Sequence, residues 1–455
     1  MLPVVTPDEM RAIDDAAARN TPIEQLIEAA GAAVARAAVR LLGGTYGRRV
    51  VVLAGPGNNG NDGRVAARRL RERGVHVTVI AASAVPAHLP DCDLVIDAAY
   101  GTGFRGAWRA PDVGRALVLA VDIPTGVDGM TGAAGPGVLP ADATVTFAAL
   151  KPGLLFAPGS VLSGDVEVAD IGLHVPGARV HLVQRADVAD WVPRRDADAH
   201  KWRGAVMALA GSPGMTGAAH LATAAAMRVG AGIVHLASPG VVNDPAMPTE
   251  VVGVRLSTLD WAPEVLGALD RFRALLVGPG LGRDDITAAQ ARRVVIGADV
   301  PVVIDGDGLF AMAWNPDGAA ALLRTRRAPT VLTPHDGEYA MLTGERPSAD
   351  RILAARRLAA DTRSVVLLKG AATVVADPTG AALVVTSGDE RLATAGTGDV
   401  LTGMIAGLLA LGAPAMEAAA AAAWLHGRAA ATGPLYGLVA SDLLTLVPGV
   451  VESLW

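Results

Sequence analysis

The chain has 455 residues, enough for two or three domains with large cores, which excludes a small disulfide-stapled scaffold. Its 39 Lys and Arg against 45 Asp and Glu leave a net charge of -6, so the electrostatic footprint of a nucleic-acid binder is missing. The single cysteine, Cys92, cannot close an internal disulfide, and the N-terminal MLPVVTPDEM has no basic stretch followed by an apolar run, so a cytoplasmic location is expected.

Hydrophobic residues make up 51% of the chain and the mean hydropathy is +0.38, which makes the most apolar stretch a test for a membrane span. That stretch, residues 401–424, owes most of its apolarity to alanine and is interrupted by Pro414 and Glu417, so no membrane association is expected. The 53 glycines and 29 prolines alternate with short Val/Ile/Leu runs, the pattern of strand-to-helix turns in a parallel α/β protein.

In chain order, residues 7–42 read as helix with a break at Thr21-Pro22, and Thr6 with Glu9 has capping-box spacing. The runs RRVVVLAG, VHVTVIAA, DLVIDAAYG and ALVLAVDIPTG then read as buried strands, with RVAARRLRERG as an amphipathic helix between the first two. Over residues 172–195 this period dissolves among prolines and mixed charges, and a domain boundary is placed there, giving domains of residues 1–185 and 186–455. The alternation restarts with GAVMALAGS, LATAAAMRVGAG, IVHLAS, ALLVGPGLG, VPVVIDGDG, APTVLTPHDGEY, SVVLLKG, ATVVAD and ALVVTSG. A long helical block follows from Asp399. Two α/β domains, each with its own ligand site, are predicted.

In the first domain, Gly55, Gly57 and Gly60 follow a strand with G-x-G-x-x-G spacing. A dinucleotide site of the Rossmann kind also needs an acid at the end of the next strand, and VTVIAAS has none. Asn58, Asn59, Asn61 and Asp62 instead crowd this segment with oxygens suited to a hard cation or a hydroxylated ligand, although taken alone NNGND is equally a good turn. Asp97 and Asp122 each end an apolar strand, so in a parallel sheet both face the same carboxyl edge. An unpaired Asp there is costly unless a cation or polar ligand meets it.

GPGNNGNDGRVAARRL, DAAYGTGFRG, VDIPTGVDG and TFAALKPGLLFAPG, with LIEAAG upstream, resemble the NAD(P)HX epimerase domain of the nicotinamide-cofactor repair enzymes over roughly residues 1–175. The resemblance implies a Rossmann-like three-layer sandwich. It places the hydrated cofactor against Asn58, Asn59, Gly60, Asn61 and Asp62, against Gly101, Thr102, Gly103, Phe104, Arg105 and Gly106, and against Asp122. It also implies a potassium ion at Asn59, Asp97 and Thr125. Exchanging the R and S forms of the C6 hydroxyl requires reversible loss of that hydroxyl or ring opening, and Asp122 is the acid/base expected to assist it.

In the second domain no Gly-Lys dipeptide occurs, so there is no Walker A loop. Gly396, Thr397 and Gly398 open a helix with Asp399 in its first turn, where free amides and the helix dipole attract phosphate. With AGSPGMTGAAHLATAAAMRVGAG, VGPGLG, IDGDGL, LTPHDGE and LLKGAATVV upstream, this segment resembles the ADP-dependent NAD(P)HX dehydratase, a ribokinase-like α/β lyase, over about residues 187–455. The resemblance implies contacts to the hydrated cofactor at Ala218, Gly280, His335 and Asp399. It places the nucleotide on Lys369, Gly370, Ala371, Ala372 and Thr373, and on Gly398. Lys369, one of three lysines with Lys151 and Lys201, is expected as a phosphate-facing cation. Asp399 is expected to take the C6 hydroxyl proton as the oxygen attacks the terminal phosphate. Met215, Asp336 and Gly306 stand where Tyr, Pro and Ala are usual in the family.

The expected protein is thus a bifunctional isomerase and lyase acting on NADHX and NADPHX with ADP, giving AMP and phosphate, with Mg2+ arriving with the nucleotide and homo-oligomeric assembly. Two alternatives compete. One is a ribokinase-like kinase for thiazole- or pyridoxine-type alcohols, and the other is a non-catalytic binding role for the N-terminal domain. The presence of Asn59, Asp97, Asp122 and Thr125 argues against the second.

Overall fold

The computed structural model describes residues 1–106 and 108–455 and divides into two compact units, Leu2–Val180 and His181–Trp455, with Met1 belonging to the latter. No helix among the described residues is long and apolar enough to cross a membrane.

The first unit opens with β1 (Leu2–Val4), whose Val4 bridges Leu150. The helices Pro7–Ala17 and Ile23–Leu42 follow, separated at the predicted break. Thr6 caps the first of them: its hydroxyl accepts the Glu9 amide at 3.1 Å, and the Glu9 carboxylate accepts the Thr6 amide at 2.7 Å. The strands β2 (Arg49–Ala54), β3 (His76–Ala81), β4 (Leu94–Ala98), β5 (Leu117–Val121), β6 (Ala143–Phe147) and β7 (Asp165–Ala169) form one parallel sheet in the order β3-β2-β4-β5-β6-β7. β6 and β7 escape the sequence reading because ATVTF and DVEVA alternate polar with apolar residues and carry no continuous apolar run. Ile23–Leu42 and the helix Asn58–Glu72 pack on one face of the sheet. The other face is covered by irregular chain carrying Val85, Leu89, Tyr100, Trp108 and Leu139.

Asn58–Glu72 swallows the segment read as a loop: NNGND is its first turn, with Gly57 as the extended N-cap. The cause is steric. A Cβ on Gly60 would lie 2.0 Å from the Gly55 carbonyl oxygen, and one on Gly55 would lie 1.7 Å from that of Ala99. The glycines therefore let the helix start flush against the ends of β2 and β4, with its asparagines at the sheet edge.

In the second unit, β8 (Val180–Leu182), β9 (Ala205–Leu209), β10 (Ile233–Ala237), β11 (Val251–Val254), β12 (Ala274–Val277), β13 (Val302–Ile304), β14 (Thr330–Leu332), β15 (Val365–Leu368), β16 (Thr373–Ala376) and β17 (Ala382–Val385) run in the order β8-β17-β16-β15-β14-β13-β12-β9-β10-β11. Pairing is parallel from β11 to β15 and antiparallel through β16 and β17. The helices Thr216–Arg228, Thr397–Ala410, Ala415–Thr432 and Ala440–Glu452 bury a continuous core against Val206, Ala208, Leu276, Val303 and Leu367. The alternate residues Met207, Leu209, Leu275, Ile304 and Leu368 are equally buried, so both faces of the sheet are covered. The alanine-rich stretch flanking Pro414 is thus two core helices: Gly403 lies so close to Thr216–Arg228 that a Cβ would meet the Ala222 oxygen at 2.0 Å.

Candidate active sites

Because β2, β4 and β5 are neighbours, their carboxyl ends bring the Asn58 turn, the segment after Asp97 and Asp122 to one edge. A cavity of about 570 Å³ opens there, lined by Asn58, Asn59, Asp62, Gly101, Thr102, Gly103, Phe104, Arg105 and Asp122. Phe104 stacks on Tyr100 at 4.2 Å to form part of its wall. Gly60 and Asn61 do not line it: Gly60 is buried against Gly55, and the Asn61 side chain accepts from Arg64. Gly106 also does not line the cavity, and a Cβ there would lie 3.3 Å from the Phe104 ring.

Asp122 has a φ of 68°, a left-handed conformation unusual for a residue with a Cβ and frequent at functional sites. Its Oδ1 lies 2.7 Å from the Nζ of Lys151, a side chain only 1% exposed that also donates to Thr146 at 2.7 Å. Burial pushes the Asp122 carboxyl up, but the Lys151 charge and the donors Thr102 and Thr146 outweigh it and hold the carboxyl below its ordinary range. Asp62, facing the same cavity, moves the other way: burial first, then the charges of Asp122 and Asp14, push it up to about 8. One cavity therefore holds an ionised carboxylate beside a protonated one, the arrangement that separates base from acid. Lys151 was missed as a site residue because its partner lies 29 positions away and nothing local marks the pair; the KPG within TFAALKPGLLFAPG was its only signal.

Asp97, in β4, and Thr125, which accepts the Tyr100 amide at 3.0 Å, are buried and do not line the cavity. Asp97 accepts the Thr125 hydroxyl at 2.7 Å and the Thr125 amide at 3.0 Å. Burial nonetheless raises its carboxyl, since no cation is among the groups acting on it. Nearby, both polar atoms of the Asn59 side chain are buried without a partner. A buried carboxylate lacking a countercharge and an orphaned amide oxygen fit a bound cation.

In the second unit the carboxyl ends of β12, β13 and β15 deliver Gly280, Asp305 with Asp307, and Lys369 to a common edge. Ala218 and Gly280 meet directly: a Cβ on Gly280 would lie 3.2 Å from that of Ala218. Asp399 occupies the third position of the helix Thr397–Ala410, after Gly396 at φ 90°. Burial, then the Asp305 charge, pushes its carboxyl up to about 6. Gly398 adjoins Lys369, whose Nζ would be 3.6 Å from a Cβ placed there.

Lys369, expected from sequence to face phosphate, is held by carboxylates. Its Nζ is 2.9 Å from Asp305 and 3.5 Å from Glu338; these charges outweigh burial and keep it protonated. Thr402 donates to the second oxygen of Asp305 at 2.6 Å, so one network ties β13, β15 and the helix Thr397–Ala410 together. Asp305 and Glu338, missed in the sequence reading, anchor it. His335 caps the helix Asp336–Thr343, its Nδ1 accepting the amides of Gly337 at 3.0 Å and Glu338 at 3.1 Å. That makes Nδ1 the acceptor and leaves the hydrogen on Nε2, which lies 3.6 Å from the Glu338 carboxylate. Beyond Lys369, Gly370 and Ala371 are exposed, Ala372 is buried, and Thr373 begins β16.

A family model described as NAD(P)H-hydrate dehydratase matches residues 206–445, and one described as YjeF-related protein N-terminus matches residues 23–91 and 81–153. The bifunctional NAD(P)H-hydrate repair enzyme of Moorella thermoacetica is 36% identical over 99% of this chain and 97% of its own length. The chain belongs to the bifunctional NAD(P)H-hydrate repair enzyme family. Its second unit is similar to the ADP/ATP-dependent NAD(P)H-hydrate dehydratase of Bacillus subtilis co-crystallised with ATP and Mg2+, at 33% identity and a TM-score of 0.52 over 61% of this chain and all (100%) of that one. A ribokinase-like superfamily protein of Enterococcus faecalis shares the fold, at 23% identity and a TM-score of 0.53 over 62% of this chain and 98% of that one. Relatives that match both halves together leave the thiazole- or pyridoxine-type kinase alternative without support.

Proposed function

We propose that this chain repairs hydrated nicotinamide cofactors: residues 1–185 exchange the R and S forms of NADHX and NADPHX, and residues 186–455 dehydrate the S form with ADP, giving AMP and phosphate. What carries the reading is the union in one chain of both matched families, each unit presenting acid/base groups at the carboxyl edge of its sheet. Cytoplasmic placement and homo-oligomeric assembly remain part of the proposal.

In the first unit protonated Asp62 gives a proton to the departing C6 hydroxyl, which leaves as water while the ring-nitrogen lone pair forms a C6–N double bond. Asp122, kept ionised by Lys151, takes a proton from the water that adds back to the other face, and the pair of transfers leaves the ring with its original proton count and the opposite C6 configuration. Phe104 stacked on Tyr100 offers a flat apolar wall for the hydrated nicotinamide ring. Asn59, Asp97 and Thr125 would hold a potassium ion, which supplies the charge that the buried Asp97 lacks.

In the second unit Asp399 takes the proton of the C6 hydroxyl as its oxygen attacks the terminal phosphorus and AMP departs. The resulting phosphate ester then eliminates: the C6–O bond breaks, phosphate leaves with the bonding pair, and a ring proton is lost to restore the dihydropyridine. His335, with its hydrogen on Nε2, would donate to the hydrated cofactor, and the amides at Gly398 would cradle phosphate at the helix start. No group of three His, Cys, Asp or Glu suited to a metal occurs among the described residues. A magnesium ion would therefore take its ligands mainly from the nucleotide phosphates and offset the carboxylates Asp305, Asp307, Glu338 and Asp399 around Lys369. Incubating the chain with an R/S mixture of NADHX and either ADP or ATP tests the proposal: NADH absorbance returns only with nucleotide, and no return with either nucleotide overturns it.

A further inference from the structure

The turn after β15 is held from outside the network that grips Lys369. Arg351, the first residue of the helix Arg351–Thr362, donates from Nη2 to the Lys369 carbonyl at 2.7 Å. The same nitrogen lies 2.9 Å from where a Gly370 Cβ would be, so the guanidinium is pressed onto the bare backbone of the turn. From its other arm, Nη1 reaches Asp336 at 2.9 Å. Asp336 is the first residue of Asp336–Thr343, directly after His335. One planar group, whose side chain is 19% exposed, thus fastens the turn to the start of the helix that His335 caps.

We propose that Arg351, oriented by Asp336, is a positioning residue that sets nucleotide affinity at the second site by holding residues 369–373 in their binding conformation. The proposal rests on reading that segment as the nucleotide site. The turn needs such a brace. Its residues Gly370 and Ala371 are exposed and carry no side-chain polar group of their own, and glycine is free to adopt competing conformations. The Lys369 ammonium is committed inward to Asp305 and Glu338, which fixes the side chain, and its amide donates to the Pro334 carbonyl at 2.9 Å, while its own carbonyl, where the turn begins, is held by Arg351. A lysine at position 351 could reach one of the two partners, not both in a fixed plane. Because Arg351 touches neither the attacking oxygen nor Asp399, its loss acts on binding and spares the chemical step.

The test uses the full chain, with ADP binding by calorimetry beside NADHX dehydration and epimerisation. Arg351→Lys is expected to weaken ADP binding about tenfold and raise the ADP KM in step, the size of one lost charge-assisted contact. The kcat at saturating ADP and the epimerisation rate should stay within about twofold. Asp336→Asn should weaken ADP about threefold in the parent and not further in Arg351→Lys, since the two act as one device. An unchanged ADP affinity in Arg351→Lys, or a fall in kcat without a change in ADP affinity, overturns the proposal. If the parent chain binds ADP but restores no NADH, the functional reading fails while the calorimetric comparison still decides the role of Arg351.

Discussion

Replacing Lys151 by methionine removes the cation that meets Asp122 among the described residues of the first cavity while keeping the apolar stem. Lys151 is 1% exposed and its Nζ serves three oxygens: Asp122 at 2.7 Å, Thr146 at 2.7 Å and the Phe147 carbonyl at 3.2 Å. Removing one partner of a buried ion pair costs about 3–5 kcal/mol when the other charge is stranded. Asp122 is 16% exposed at the cavity, and without Lys151 its burial drives the carboxyl up, so it either stays ionised as a stranded charge or takes up a proton. The first outcome loses the partner that holds the base in place, and the second removes the base. The expected result is a fall in epimerisation of about 10² or more and a drop in the melting temperature of this unit of about 6–20 °C, from roughly 2–4 °C per kcal/mol at this size. The double variant Lys151→Met, Asp122→Asn leaves no stranded charge, and asparagine tolerates the left-handed backbone at 122. It should recover most of the stability and none of the activity. Calorimetric melting and epimer-resolved chromatography of NADHX measure both. A Lys151→Met chain that melts and epimerises like the parent would refute the assignment of this pair.

Asp97→Ala removes the buried charge that fits a cation beside Asn59, so epimerisation and its dependence on potassium should be lost while nucleotide-dependent dehydration of the S form persists; assaying each epimer separately with and without potassium decides this. Asp399→Asn should cut dehydration by about 10² with ADP binding nearly intact, whereas Gly398→Val should weaken ADP binding itself, and calorimetry beside turnover separates the two. With a base pushed up to about 6, the parent's dehydration rate should fall as pH drops below that value. Asp62, with a folded pKa of about 8 above its ordinary 3.8, binds a proton more tightly when folded, so its contribution to stability is present at low pH and is lost as pH rises toward 8. Melting temperatures from pH 5 to 9 should therefore fall more steeply for the parent than for Asp62→Asn.

Strand ends carry their meaning in the sequence because an apolar run that finishes in Asp or Gly is read locally. Asp97 and Asp122 were legible for that reason, as was the glycine-led helix start at Gly396, whereas Gly280 entered only through the family resemblance. What escaped reading depends on distant partners. The pairs Lys151 with Asp122 and Lys369 with Asp305 span 29 and 64 positions, so whether each lysine is free or committed is decided only when the strands are side by side. NNGND looks like a turn by composition, yet becomes helix because Gly55 and Gly60 permit a backbone approach that no propensity scale records. Strands β6 and β7 hide behind threonine and acidic residues that alternate with apolar ones.

The most direct measurement resolves the two NADHX epimers by chromatography while the full chain acts on their mixture with ADP, for the parent and for Asp122→Asn. The account predicts that the parent consumes both epimers and returns all of the NADH, and that Asp122→Asn consumes the S form at the parental early rate and then stalls on the R form. Consumption of the R form by Asp122→Asn at the parental rate, or a parent that leaves the R form untouched, would contradict it.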